Sequence, residues 1–216
     1  MGLATDFQGV LFDMDGVLLD TMGAHVDAWL RAGADLGLAI DEREIYLREG
    51  EKGEVSARDF IRAAGLMLTK ARVRTLVETK QRYFAQVARS PRVFPQAAAA
   101  LAACRERGLK IALVTGTSRD EWTKIFPAEL KAALDASVCG DEVLHGKPNP
   151  EPYMTAARLL GRQPRQCVAV ENAPFGIRSA KAAGCRVIAV RSYLPDNDLG
   201  QADERVDDLA EFTRLL

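Results

Sequence analysis

The sequence has almost no net charge: 29 lysines and arginines are met by 30 aspartates and glutamates among 216 residues. It therefore has no bulk attraction to nucleic acid or to an anionic membrane surface, and any basic site has to be local. Cysteines are few, at Cys104, Cys139, Cys167 and Cys185, and no two are spaced as a Cys-x-x-Cys pair. That argues against a zinc knuckle and for buried, reduced thiols in a cytoplasmic protein. No apolar run is long enough to span a bilayer. Residues Met1 to Asp6 lack a basic stretch followed by an apolar one, so no signal peptide is expected. What is present is ordinary for a soluble globular chain: 48% hydrophobic and 27% charged residues.

Short apolar runs recur along the chain. Val10-Leu11-Phe12 ends at Asp13, and Ile111 to Val114, Cys167 to Val170 and Val187 to Val190 follow. Runs of this length between polar residues suit strands buried on both faces. Each later run follows a segment with helical features: Gln96 to Arg107, Pro150 to Leu160, and Phe175 to Ala183. A shorter run, Ala136 to Cys139, follows the helical stretch Ala128 to Leu134. The alternation predicts an α/β fold, a Rossmann-like parallel sheet with helices on both faces. Residues 21–89 show no β-type run and predict a small helical domain inserted after the first strand. The core is then 1–20 with 90–216, and the prolines of Ser90 to Pro95 mark the return.

Ligands of such sheets bind at the carboxyl ends of the strands. Asp13, Asp15, Thr115, Glu171 and Asn172 are the polar residues found there. Asp13 and Asp15 can share one pocket if the chain leaves the strand in a loop. One carboxylate can then attack phosphorus while the other handles a proton, with a divalent cation relieving their repulsion. The same Asp-x-Asp-Gly string also suits a simple turn. Thr115-Gly116-Thr117-Ser118 offers hydroxyls and N–H groups for a phosphoryl oxygen, or a helix cap. Lys147, between Gly146 and Pro148, suits a fixed point charge or a solvated loop lysine. Glu171 and Asn172 offer hard oxygen ligands for Mg²⁺, or a turn that caps the next helix.

In this order the motifs resemble the haloacid dehalogenase-like hydrolase superfamily over essentially the whole chain. Asp13-Met14-Asp15-Gly16-Val17-Leu18 resembles its first motif, Val114-Thr115 its second, Lys147 its third, and Glu171-Asn172 its fourth. The Gly-Lys-Pro-x-Pro string is similar to the branch containing β-phosphoglucomutase and phosphoglycolate phosphatase, whose members carry a helical cap after the first motif. The resemblance implies that Asp13 is the nucleophile and forms an aspartyl phosphate. It implies that Asp15 is the general acid and base, that Thr115 and the Gly116 backbone hold the phosphoryl group, and that Lys147 offsets negative charge. Mg²⁺ would be bound by Asp13, the Asp15 carbonyl and the fourth motif, Glu171 or Asn172. An acid at position 15 favours phosphoryl transfer over dehalogenation. Two positions depart from the pattern: Asn172 stands where Asp is usual, and Gly116 where Asn is frequent.

In the helical segment, His25 and Trp29 share a helix face at i and i+4, which suits either packing or a contact between cap and core. The string from Arg48 to Gly53 suits a cap loop facing the core. Lys80 resembles a cap lysine that contacts substrate, or is a surface lysine. Ser56-Ala57-Arg58 does not align with the mutase's Ser-Arg pair. The expected activity is a Mg²⁺-dependent phosphatase acting on a small phosphorylated metabolite, in a monomer or weak dimer without nucleic-acid or membrane partners. The alternatives are a β-phosphoglucomutase-like phosphomutase and a binding protein with a degenerate site.

Overall fold

A computed structural model describes residues 7–87 and 90–216. The leader expectation for residues 1–6 and the last two residues of the 21–89 segment lie outside the described residues.

In chain order, β1 (Gly9–Phe12) and β2 (Leu19–Asp20) lead into four helices, α1 (Met22–Asp35), α2 (Glu42–Leu47), α3 (Gly53–Ala63) and α4 (Lys70–Val87). The chain returns through β3 (Arg92–Val93), then α5 (Ala97–Glu106), β4 (Lys110–Val114), α6 (Arg119–Ile125), α7 (Ala128–Lys131) and β5 (Ala136–Val138). It closes with α8 (Glu151–Leu159), β6 (Cys167–Glu171), α9 (Pro174–Ala183), β7 (Arg186–Val190), β8 (Glu204–Val206) and α10 (Leu209–Leu215).

Six strands form a parallel sheet in the order β5-β4-β1-β6-β7-β8. The chain builds outward from β1 to one side, then returns to build the other. The reversal lies beside β1, so loops after β4 and β6 flank the carboxyl end of β1, and ligands bind at such a reversal.

The apolar runs are continuous because both faces are covered. Val10 and Phe12 face the cluster made with Ala100, Leu101 and Cys104 of α5 and Leu209 and Phe212 of α10. Leu11 faces the cluster of α8 and α9, with Tyr153, Ala156, Ile177 and Ala180. Alternate residues of one strand thus enter different cores, as a period of two requires. Helices α1 to α4 have their own core, in which Val26, Trp29, Phe60, Ile61 and Leu76 meet. Among the described residues no helix is long and apolar enough to cross a membrane.

Three details differ from the sequence reading. The expected helix Ala128 to Leu134 stops at Lys131. Leu19–Asp20 and Arg92–Val93 pair as an antiparallel ribbon where the helical lobe leaves and rejoins the sheet. Strand β8, with Glu204 and Arg205 in it, forms the sheet edge. Two- and three-residue strands are too short to show a period, so tertiary pairing alone defines them.

Candidate active site

The loop after β1 brings two carboxylates inward. The Asp13 N–H donates to the Val170 carbonyl at 3.0 Å, which carries the strand geometry one residue past β1. Met14 then packs into the core below while Asp13 and Asp15 point the other way. Gly16, at φ 87°, turns the chain; a Cβ there would lie 2.0 Å from Asn172 Nδ2. The first and fourth motifs therefore meet at a contact only glycine permits.

Asp13 and Asp15 have different partners. Lys147 Nζ donates to Asp13 Oδ1 at 2.5 Å and to Glu171 Oε1 at 2.6 Å, and all three side chains are buried. Glu171 Oε1 also accepts from the Tyr153 hydroxyl, and its Oε2 accepts from the Asn172 N–H at 3.1 Å. Asp15 Oδ1 accepts from the Thr21 hydroxyl and faces His25 Nε2 at 3.3 Å. Its Oδ2 accepts from Thr115 at 3.4 Å and Thr117 at 3.3 Å.

The helical lobe contributes directly. Lys80 Nζ lies 2.9 Å from His25 Nδ1, which leaves Nε2–H for Asp15. His25 stacks on Phe84 with centroids 4.1 Å apart, while Trp29, its i+4 neighbour, packs edge-on against Phe60. Lys80 is 8% exposed, so the surface-lysine alternative does not hold. Glu49 is buried beside Asp13 and Glu171, with one oxygen of each residue within 4.8 Å of the others. Gly116 lies under the same lobe: a Cβ on it would come within 2.5 Å of the Gly50 carbonyl. A cavity of about 270 Å³ opens between lobe and sheet, walled by Asp15, His25, Trp29, Lys80, Thr117 and Glu121. Asp13, Lys147 and Glu171 are buried and do not line it.

Three carboxylates around one ammonium leave an excess of negative charge. Burial, only partly offset by Lys147, pushes Asp13 up to about 8, with Glu171 and Asp15 adding to the rise. Burial likewise raises Glu49, and Asp13 adds to it. Burial would lower Lys147, but Asp13, Glu171 and Glu49 outweigh it and hold it above the usual lysine range. Asp15 behaves oppositely: burial would raise it, yet His25 and Thr21 together bring it below the usual carboxylate value. Burial lowers Lys80.

The excess charge fits a divalent cation. Asp13 Oδ2, Glu49 Oε2 and Asn172 Oδ1 are buried oxygens with no hydrogen-bond partner among the described residues, and hard oxygen donors suit Mg²⁺. Both Glu171 oxygens are already engaged, so Asn172 offers the freer donor of the fourth motif.

Sequence reasoning singled out Asp13, Asp15, Thr115, Gly116, Thr117, Lys147, Glu171 and Asn172, which the structure brings to one place, and His25 and Lys80, which it puts at the edge. It missed Glu49 as a site carboxylate, Thr21 as a donor to Asp15, and Tyr153 as a donor to Glu171. The reading of Arg48 to Gly53 as a loop facing the core was the one available signal for Glu49.

A family model for haloacid dehalogenase-like hydrolases matches residues 7–184. The chain is 32% identical over 206 residues to hexitol phosphatase A of Escherichia coli K12, covering 95% of this chain and 93% of that protein. It is 30% identical over 232 residues to phosphoglycolate phosphatase of the same organism, covering 92% and 88%. A solved structure from Bacteroides vulgatus, provisionally assigned as a β-phosphoglucomutase, matches with a TM-score of 0.84 at 30% identity, covering 98% of this chain and 88% of that one. With the family model covering residues 7–184 and relatives at 30% identity or more matching over nearly all of their length, the chain belongs to the haloacid dehalogenase-like hydrolase family.

Proposed function

We propose that this protein is a Mg²⁺-dependent phosphatase that hydrolyses a small phosphorylated metabolite through an aspartyl phosphate on Asp13. The observation that carries the reading is the divided environment of the two first-motif carboxylates. Asp13 is paired with Lys147 inside an acidic cluster, while Asp15 is held by Thr21, His25, Thr115 and Thr117. Without a cation, burial holds Asp13 up while His25 and Thr21 hold Asp15 down, so the roles rest on placement: Lys147 fixes Asp13 in the acidic cluster, where a bound cation would return it to its carboxylate form, and Asp15 lines the cavity where a leaving group would sit.

Asp13 attacks phosphorus, and the P–O bond to the leaving group breaks. Asp15 gives its proton to the leaving oxygen, then takes one from the water that attacks the aspartyl phosphate. Phosphate departs and Asp13 is regenerated. Lys147 offsets charge on Asp13 as the anionic phosphoryl group approaches. Thr115, Gly116 and Thr117 are assigned the phosphoryl oxygens, and His25 and Lys80 the cap side of the substrate. Asp13, Asn172 and Glu49, with the Asp15 carbonyl that the family resemblance implies, would hold Mg²⁺, which neutralises developing charge when bound. Because Asp13 is fully buried, the cap over 21–89 has to open to admit substrate.

The test is phosphate release from a panel of sugar phosphates, phosphoglycolate and nucleotides, with and without Mg²⁺, for wild type beside Asp13→Asn. Release that needs both Mg²⁺ and Asp13 is expected. A phosphomutase is the second reading, favoured by the Bacteroides vulgatus likeness. Activator-dependent isomerisation of a sugar phosphate without phosphate release would replace the phosphatase with the mutase. Binding without turnover would replace both with a binding protein.

A further inference from the structure

We propose that Lys52 is a positioning residue through which closure of the cap sets the place of Lys147. Lys52 ends the loop Arg48 to Gly53 and sits at the N-terminus of α3, in the cap. Its Nζ crosses to the core and donates to the main-chain carbonyls of Val143 at 2.5 Å and Leu144 at 3.1 Å. From the other side, the Glu151 carboxylate accepts from the N–H groups of Leu144 at 2.7 Å and His145 at 2.8 Å. The Val143–Leu144 peptide is thus held at its carbonyl by a cation of the cap and at its N–H by an anion of the core. Hydrogen bonds to charged groups are the stronger kind.

Lys147 lies three residues further on, and the same cap loop reaches it. The Lys52 stem covers Gly146, where a Cβ would lie 2.7 Å from Lys52 Cγ. Gly50, at φ 76°, covers Lys147 itself; a Cβ there would lie 2.6 Å from Lys147 Cδ. Head group, stem and neighbouring glycine therefore hold Val143–Leu144, Gly146 and Lys147 in turn. The remaining anchors of this segment belong to the core and stay in place when the cap opens: Glu151, the Ser179 hydroxyl on the Asn149 carbonyl, and Asp13 and Glu171 on the Lys147 ammonium. The Lys52 contact does not. Opening releases one side of the segment that carries Lys147, and closing restores it, so the closed cap fixes where the ammonium sits against Asp13.

The kinetic arm rests on the phosphatase reading; an exchange arm does not. Full-length Lys52→Met and Lys52→Arg are compared with wild type on the best phosphate ester of the panel, and by hydrogen–deuterium exchange without substrate. For Lys52→Met, kcat is expected to fall about tenfold or more with KM moving less than about threefold, as for a misplaced catalytic group. Lys52→Arg, whose guanidinium can also donate to two carbonyls, is expected to recover most of kcat. The amides of Leu144, His145, Gly146, Lys147 and Asn149 are expected to exchange about fivefold faster in Lys52→Met and near the wild-type rate in Lys52→Arg, with β1 and β4 amides unchanged. Unchanged exchange in Lys52→Met overturns the proposal, as does unchanged kcat. A rise in KM alone would make Lys52 a substrate contact instead. If wild type releases phosphate from nothing, the phosphatase reading fails by itself and the exchange result decides the place of Lys52.

Discussion

Glu49 of the cap and Asp13 at the end of β1 bring carboxylate oxygens within 4.8 Å of each other, both buried, with Lys147 between the acids of the cluster. Like charges this close need a counter-charge, and one lysine cannot neutralise three acids. Asn172, a neutral donor where the family usually has an acid, removes one negative charge from the sheet side; Glu49 adds one from the cap.

Glu49→Gln is therefore expected to weaken Mg²⁺ binding while leaving the fold intact. The Mg²⁺ concentration giving half-maximal phosphate release should rise about tenfold, in the range found when a group supporting a metal site is lost. A Mg²⁺ titration matching wild type would remove Glu49 from the site.

The metal-free protein should lose stability as pH rises from about 5 to 8. Asp13 moves from an ordinary value of 3.8 to about 8 in the folded chain. Between those values the folded state holds a proton that the unfolded state has released, so stability is fully present below the lower value and falls through the window. Glu49 shifts the same way. Thermal melts in chelator across this range should show the decline, and Asp13→Asn should flatten it. A melting temperature independent of pH in wild type would contradict the buried acidic cluster.

Lys80→Met should separate stability from activity. Burial lowers the Lys80 pKa, so its charge is held at a cost, and a methionine of similar length removes that cost. Tm is expected to hold or rise while kcat/KM falls about tenfold, because the cap loses the cation beside His25. Unchanged kcat/KM would make the lysine a packing residue.

Tyr153→Phe removes a buried hydroxyl that donates to Glu171. Lys147 remains on the same Glu171 oxygen, so the loss should be about 2 kcal/mol of stability, that of one hydrogen bond to a charged group. Chemical denaturation measures it. A loss several times larger would mean that Glu171 depends on Tyr153 more than on Lys147.

The sequence by itself determined the strands with a continuous apolar run, their alternation with helices, and the residues that follow each strand end. Those features are local: two-sided burial writes itself into four or five successive residues, and a parallel sheet puts its strand ends on one side. Asp13, Asp15, Thr115, Glu171 and Asn172 were legible for that reason, and Lys147 through its place between Gly146 and Pro148. Only the tertiary structure decided the rest. Glu49 reads as one more acid of a charged loop until the cap folds over β1, and Lys52 meets Val143 across 91 residues of chain. Tyr153 and Thr21 look like any helix or loop residue until the buried carboxylates they serve are in place. Lys80 has the sequence surroundings of a solvated helix lysine, and only the packing of α4 against α1 buries it. Contacts between distant segments carry no periodicity along the chain, because what fixes them is the docking of one folded lobe on another.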